Sequence, residues 1–223
     1  MPTMQELNTG RIRPLLPRSP FLYPILDSQF STDLVGDGRQ ALRAGAGIFQ
    51  IRAKTLTPRK LYDIVAALAP DCAAANVPLM VNDNVDVAML TGAGGVHLGQ
   101  EDCPPGEARK LLPHQLIGIS THNEAQAAEA LQCPVDYISV GPVFPTRSKA
   151  NPDPVVGLDF VRKICATSKL PVVCIGGITA QSFSALISAG AGGLAVISAI
   201  YEGPSVYDTI SRLLEALQHR KSD

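Results

Sequence analysis

Along this chain, short runs of apolar residues alternate with longer segments rich in Ala and Leu. A continuous apolar run of four to eight residues suits a strand buried on both faces, and a longer amphipathic segment suits the helix that covers it. The pattern predicts eight βα units. Their strands fall at Phe21 to Leu26, Ile48 to Ile51, Leu79 to Val81, Gly95 to Leu98, Leu116 to Ile119, Tyr137 to Val140, Val172 to Ile175 and Leu194 to Ile197.

An internal echo strengthens the pattern. Residues 44–51 (AGAGIFQI), 92–98 (GAGGVHL) and 189–196 (AGAGGLAV) repeat one helix-turn-strand junction, and 133–140 (CPVDYISV) is a degenerate copy. Glycine in these junctions supplies a left-handed helix end before the next strand. Eight parallel strands alternating with helices can lie open or close into a barrel, and the repeat favours closure because radial symmetry needs equivalent units. The expected fold is a single-domain α/β protein, a (β/α)8 TIM barrel over residues 21–220. Residues 1–20, with Arg11, Arg13 and Arg18 and several prolines, are expected to form a flexible tail.

Composition narrows the function classes. The 223 residues are 46% hydrophobic and carry a net charge of −1, which argues for a packed core and against a broad basic surface for nucleic acid or anionic lipid. Five cysteines (Cys72, Cys103, Cys133, Cys165, Cys174) show no paired spacing and read as reduced thiols of a cytoplasmic protein. No stretch approaches the roughly 18 apolar residues of a membrane span, and the N-terminus lacks the apolar centre of a signal peptide.

In a closed barrel the chemistry gathers at the C-terminal ends of the strands. The polar residues obey that filter: Gln50, Arg52 and Lys54 follow the second strand, Asn82 and Asp83 the third, His97 to Asp102 the fourth, and Ser120 to His122 the fifth. Asp83 and Asp102 on adjacent loops offer hard oxygen ligands to one Mg2+, although singly each is as well explained as a helix cap or a solvated carboxylate. Arg52, Lys54 and Lys149 form a cationic group suited to a diphosphate; the blander account pairs Arg52 with a rim carboxylate and leaves the lysines in solvent. A second anion site is expected on Gly176-Gly177 and Ile197-Ser198, after strands seven and eight, where barrels hold phosphate on backbone N–H groups; a plain tight turn would also use the two glycines. Nucleophile elbows and dinucleotide fingerprints are missing. Departure of a pyrophosphate needs electrostatic stabilisation rather than an enzyme nucleophile.

Together the segments 50–54 (QIRAK), 81–83 (VND), 97–102 (HLGQED), 119–122 (ISTH), 141–149 (GPVFPTRSK), 176–178 (GGI) and Ile197-Ser198 resemble the thiamine-phosphate synthase family over roughly residues 20 to 215. The resemblance implies a Mg2+-dependent enzyme that condenses an aminopyrimidine pyrophosphate with a thiazole phosphate through a dissociative, carbocation-like step. It assigns Mg2+ to Asp83 and Asp102, and the pyrophosphate to Arg52, Lys54, Asn82 and Lys149. Gln50, His97 and Ser120 would line the pyrimidine, and Thr146, Ser148, Gly177, Ile197 and Ser198 the thiazole phosphate. Catalytic roles would fall to Arg52, Lys54, Lys149 and Ser120. At three positions, Ala53, Asn84 and Ser148, the chain departs from common family residues without losing an implied ligand. Two other activities are compatible with the same barrel. A thiazole tautomerase would use His122 as its base, and a non-catalytic sensor would only bind thiamine phosphate.

Overall fold

The structure is a computed structural model that describes residues 14–146, 148 and 153–219. Eight parallel strands close into a barrel in sequence order, each paired with its neighbours in the chain and the first paired with the last. They are β1 (Phe21–Asp27), β2 (Phe49–Arg52), β3 (Leu79–Asn82), β4 (Gly95–Leu98), β5 (Leu116–Thr121), β6 (Tyr137–Val140), β7 (Val172–Cys174) and β8 (Gly193–Val196). The helices between and after them are α1 (Leu34–Arg43), α2 (Pro58–Ala74), α3 (Val85–Thr91), α4 (Pro105–Leu111), α5 (Glu124–Ala130), α6 (Gly157–Thr167), α7 (Phe183–Ser188) and α8 (Val206–Gln218). Short 3-10 turns at Ala180–Ser182 and Ser198–Tyr201 follow β7 and β8. The expected barrel is the observed one.

Each strand stands within a residue or two of its expected place. Four of them run further than the apolar pattern indicates, because the polar residue at the end still takes part in the sheet or belongs to its last rung. Asp27 pairs in register with Arg52, and Asn82 with His97. The repeated glycine junctions have the expected left-handed geometry: Gly45, Gly92 and Gly190 have φ of 89°, 66° and 96°. Helix starts are set by side-chain caps, with Asp33, Thr57, Asn123 and Ser205 each accepting a backbone N–H three residues on.

Strand alternation divides the core in two. Leu22, Leu26, Phe49, Ile51, Val81, Val96 and their neighbours pack outward against the helices. Ala53, buried among them, points away from the barrel axis as its place in the alternation requires. A smaller cluster of Phe21, Tyr23, Ile25, Ile48, Met80, Leu116, Tyr137, Val173 and Ala195 fills the barrel interior, with Leu16 packed against it from the segment preceding β1. Bulky rings fit there because facing positions are glycine. A Cβ on Gly118 would lie 2.1 Å from Cζ of Tyr137, and one on Gly193 2.7 Å from the ring of Phe21.

Most of the expected tail lies outside the described residues. No helix among the described residues is long and apolar enough to cross a membrane.

Candidate active site

Two residues beyond the filled interior, the same inward-facing strand positions turn polar and open into a cavity of about 600 Å3. Gln50, Arg52, Lys54, Asn82, Asp83, His97, Ser120, Thr146, Ser148, Gly177, Ile197 and Ser198 all line it. A cavity of this size is in the range that small-molecule sites occupy. Of the other two expected ligands, Asp102 stands against Asp83 and is not itself part of the lining, and Lys149 lies outside the described residues.

One side of the mouth is charged. Arg52 donates from Nη1 to Asp27, whose carboxylate is almost fully buried at the end of β1 and also accepts the N–H of Gln29 at 2.9 Å. The simple expectation of a rim partner for Arg52 is therefore correct, and it does not compete with anion binding: a fixed guanidinium keeps donors to spare. Lys54 pairs with Asp83 at 3.1 Å while remaining more than half exposed, so it is free to turn toward a ligand.

Asp83 has a φ of 65°, a left-handed conformation that Asp tolerates. The cap position of α3 belongs to Asn84, so Asp83 is not a helix cap. Burial, and then the adjacent carboxyl of Asp102, raise the pKa of Asp83 above the ordinary carboxylate range, against the lowering effect of Lys54. Asp102 is held in place by the Gly99 N–H, which donates to Oδ2 at 2.6 Å. Two carboxylates pressed together at a cavity edge are a charge arrangement that a divalent cation relieves. Among the described residues there is no cluster of three or more His, Cys, Asp or Glu able to hold a metal. A two-carboxylate site fits Mg2+, which completes its shell with water and phosphate.

Among the described residues, the opposite side of the mouth carries no charged group from the expected ligand set. Gly176 and Gly177 have φ of 98° and 62°, and a Cβ on Gly177 would lie 2.5 Å from the Pro145 carbonyl oxygen. The pair is thus required by the turn and by close packing against the loop after β6. The same packing leaves an unshielded backbone beside Thr146, Ser148 and the short helical turn Ser198–Tyr201, where N–H groups and hydroxyls can take a phosphate.

Between the two sides runs a floor of hydrogen-bonded side chains. Gln50 Nε2 donates to Asn82 Oδ1 at 3.0 Å, and Tyr23 donates to Gln50 Oε1 at 3.1 Å. The hydroxyls of Tyr23 and Tyr137 are 2.9 Å apart. His97 lies 2.9 Å from Tyr137 through Nδ1 and 2.9 Å from Ser120 through Nε2. His122 also lines the cavity, with Nδ1 2.6 Å from the Gly141 carbonyl and Nε2 3.5 Å from Asp153. It is more than a helix-start residue: Asn123 supplies the cap, and only the backbone N–H of His122 serves the helix, donating to Gln126.

Asp27, Tyr23 and Tyr137 were not among the expected site residues. Asp27 follows an apolar strand without a break, and the two tyrosines look like core. The available signal was alternation: Tyr23, Ile25 and Asp27 share a face, as do Ile48, Gln50 and Arg52.

Comparison with known proteins follows the same lines. Residues 22–200 match the family described as thiamine monophosphate synthase. A thiamine-phosphate synthase of Chlorobium luteolum is 40% identical over 200 residues, covering 89% of this chain and 93% of that protein. A probable chloroplastic thiamine biosynthetic bifunctional enzyme of rice, Oryza sativa subsp. japonica, is 39% identical over 207 residues, and there the chain spans only 38% of the relative's length. A solved thiamine phosphate pyrophosphorylase from Pyrococcus furiosus superposes with a TM-score of 0.81 at 34% identity, covering 90% of this chain and 96% of that one.

Proposed function

The chain belongs to the thiamine monophosphate synthase family, and on that premise we propose that it is a transferase joining hydroxymethylpyrimidine pyrophosphate to thiazole phosphate, with release of pyrophosphate and formation of thiamine phosphate. The observation that carries the reading is one cavity with two unlike anion ends. A carboxylate-and-cation end stands on β2 to β4, and a glycine-and-hydroxyl end on the loops after β6 to β8. A diphosphate that travels with a metal suits the first, and a monophosphate suits the second.

Arg52, held by Asp27, gives a fixed fork for the diphosphate, while Lys54 can exchange Asp83 for a phosphate oxygen. Lys149 is assigned to the same group by its position in the sequence. Asn82, whose Oδ1 is taken by Gln50, offers its amide N–H to the same anion. These donors stabilise the charge that grows on the leaving group as the carbon–oxygen bond breaks and its electron pair departs with pyrophosphate. Asp83 and Asp102 would hold Mg2+, which when bound supplies further positive charge to that leaving group. Gln50, His97 and Ser120 support the pyrimidine, whose amino group feeds electrons to the cationic carbon left behind. Thr146, Ser148, Gly177, Ile197 and Ser198 seat the thiazole phosphate so that the ring nitrogen attacks that carbon with its own lone pair. No proton has to be taken from that nitrogen, so this step needs no general base.

The five cysteines are all free. This supports a reducing, cytoplasmic setting for the reaction.

A thiazole tautomerase is the second reading, favoured by His122 facing the cavity with its ring oriented by Gly141. Incubation with both phosphorylated substrates and Mg2+ separates the two. Equimolar thiamine phosphate and pyrophosphate, abolished by EDTA, is the expected result. Proton exchange on the thiazole with no joined product would overturn the synthase in favour of the tautomerase.

A further inference from the structure

The hydrogen-bonded floor has a direction, and two residues outside the cavity set it. Tyr23 and Tyr137 are buried in the barrel interior and neither lines the cavity. Burial raises both phenols well above their ordinary pKa, so each keeps its proton and contributes one donor. The proton of Tyr23 goes to Gln50 Oε1, so its oxygen must accept from Tyr137 across 2.9 Å. The proton of Tyr137 is then committed, and its oxygen must accept from Nδ1–H of His97 across 2.9 Å. A neutral imidazole carries one N–H. With that N–H at Nδ1, Nε2 accepts from the Ser120 hydroxyl at 2.9 Å. At the other end, Gln50 donates to Asn82 Oδ1.

The consequence is a polarised floor. Asn82 shows N–H to the cavity beside Arg52 and Lys54, and Ser120 shows an oxygen lone pair. Running every bond in the opposite sense would also satisfy each partner, but it would turn the Asn82 carbonyl oxygen toward the end where the cations collect anions. An anion at Arg52 and Lys54 therefore favours the direction that starts from the Gln50 amide. The fold reserves the room for this arrangement: only glycine fits at residue 118, because a Cβ there would strike the Tyr137 ring.

We propose that Tyr23 and Tyr137 are positioning residues that fix His97 as the Nδ1–H tautomer, make Ser120 a hydrogen-bond acceptor, and so select an amino-substituted pyrimidine over its oxo-substituted counterpart. An amino group donates to the Ser120 lone pair, whereas a carbonyl oxygen in that place meets another acceptor. The selectivity rests on the pyrimidine reading given above; the tautomer does not.

Two measurements test it, both on the whole protein. Nitrogen-15 NMR of the His97 ring, made with inorganic pyrophosphate bound at the cation end, reports the tautomer. Calorimetric binding of aminopyrimidine monophosphate, which has no pyrophosphate to expel, against its oxo analogue reports the selectivity apart from the chemistry. The wild type is expected to show Nδ1–H and to prefer the amino compound by about tenfold or more, the scale of one hydrogen bond made or lost. In Tyr23→Phe the Tyr137 proton loses its acceptor and turns to Nδ1, so the ring proton moves to Nε2 and the amino preference falls by about tenfold. If Tyr23→Phe does not fold, Tyr137→Phe removes the link at His97 and is expected to lower the same preference. A wild-type ring protonated at Nε2, equal binding of the two pyrimidines, or folded variants with unchanged tautomer and preference would overturn the proposal. Failure of both pyrimidines to bind would overturn the substrate reading and its selectivity together, and an Nδ1–H signal in that case would locate the fault in the substrate rather than in the relay.

Discussion

The lower and upper halves of the barrel interior are made by the same strands, two residues apart, and they do opposite things. On β1 the inward positions pass from Tyr23 through Ile25 to Asp27; at β2, from Ile48 just before the strand through Gln50 to Arg52; on β5, from Leu116 through Gly118 to Ser120. Below, the side chains exclude water and fill space. Above, they leave a cavity and keep their donors, acceptors and charges for something else. The difference shows that a barrel strand needs only one step of its alternation to pass from stability to chemistry. It also shows that the division is not clean, because the tyrosines of the lower half reach up by hydrogen bonds into the upper one.

Arg52→Ala should break the division most strongly, because it touches both properties. It removes a donor to the diphosphate and leaves Asp27 buried without its cation, so kcat/KM is expected to fall by about 100-fold or more, and the fold to lose about 3 kcal/mol; urea unfolding and steady-state kinetics read the two effects. Phe21→Ala lies wholly in the lower half. Its expected cost is about 3–5 kcal/mol of stability, with turnover per folded molecule close to that of the wild type. Lys54→Ala is its counterpart above: the side chain is mostly exposed and its ion pair contributes little to the fold, so Tm should barely move while kcat/KM drops on the order of 100-fold.

The smallest expected effect has the opposite sign. The pKa of Asp83 is raised by burial and by Asp102. The folded protein thus holds this proton at pH values where the unfolded chain has released it. That stabilising contribution is complete in acid and is lost as pH rises through the folded value. At neutral pH the ionised carboxylate weakens the fold, so in EDTA the Asp83→Asn variant should melt slightly above the wild type. The gap should close on acidification toward about pH 4. A variant that melts lower at neutral pH would contradict the account of this pair.

The sequence made the barrel legible because apolar runs, helical segments and repeated glycine junctions all point to one architecture. The rim was legible because the filter for strand ends collects Gln50, Arg52, Asn82, His97 and Ser120 without knowledge of their contacts. Asp27 was hidden because it belongs in register to β1, opposite Arg52, and reads as the residue after the strand. Tyr23 and Tyr137 were hidden for another reason. A buried tyrosine is common core, and the meeting of its hydroxyl with another 114 residues away depends on barrel closure, which no local pattern encodes. Pairwise ties of this kind, such as Lys54 with Asp83 across neighbouring loops, are set by three-dimensional register alone.

Turnover per folded molecule, measured side by side for Met80→Ala in the lower half and Asp102→Ala at the rim, tests the division most directly. Met80 is fully buried among the interior side chains, whereas Asp102 stands beside Asp83 at the mouth. The account predicts thiamine phosphate formation near the wild-type rate for folded Met80→Ala, and a loss of about 100-fold or more for Asp102→Ala. Equal losses in the two variants, or full activity in Asp102→Ala, would contradict it.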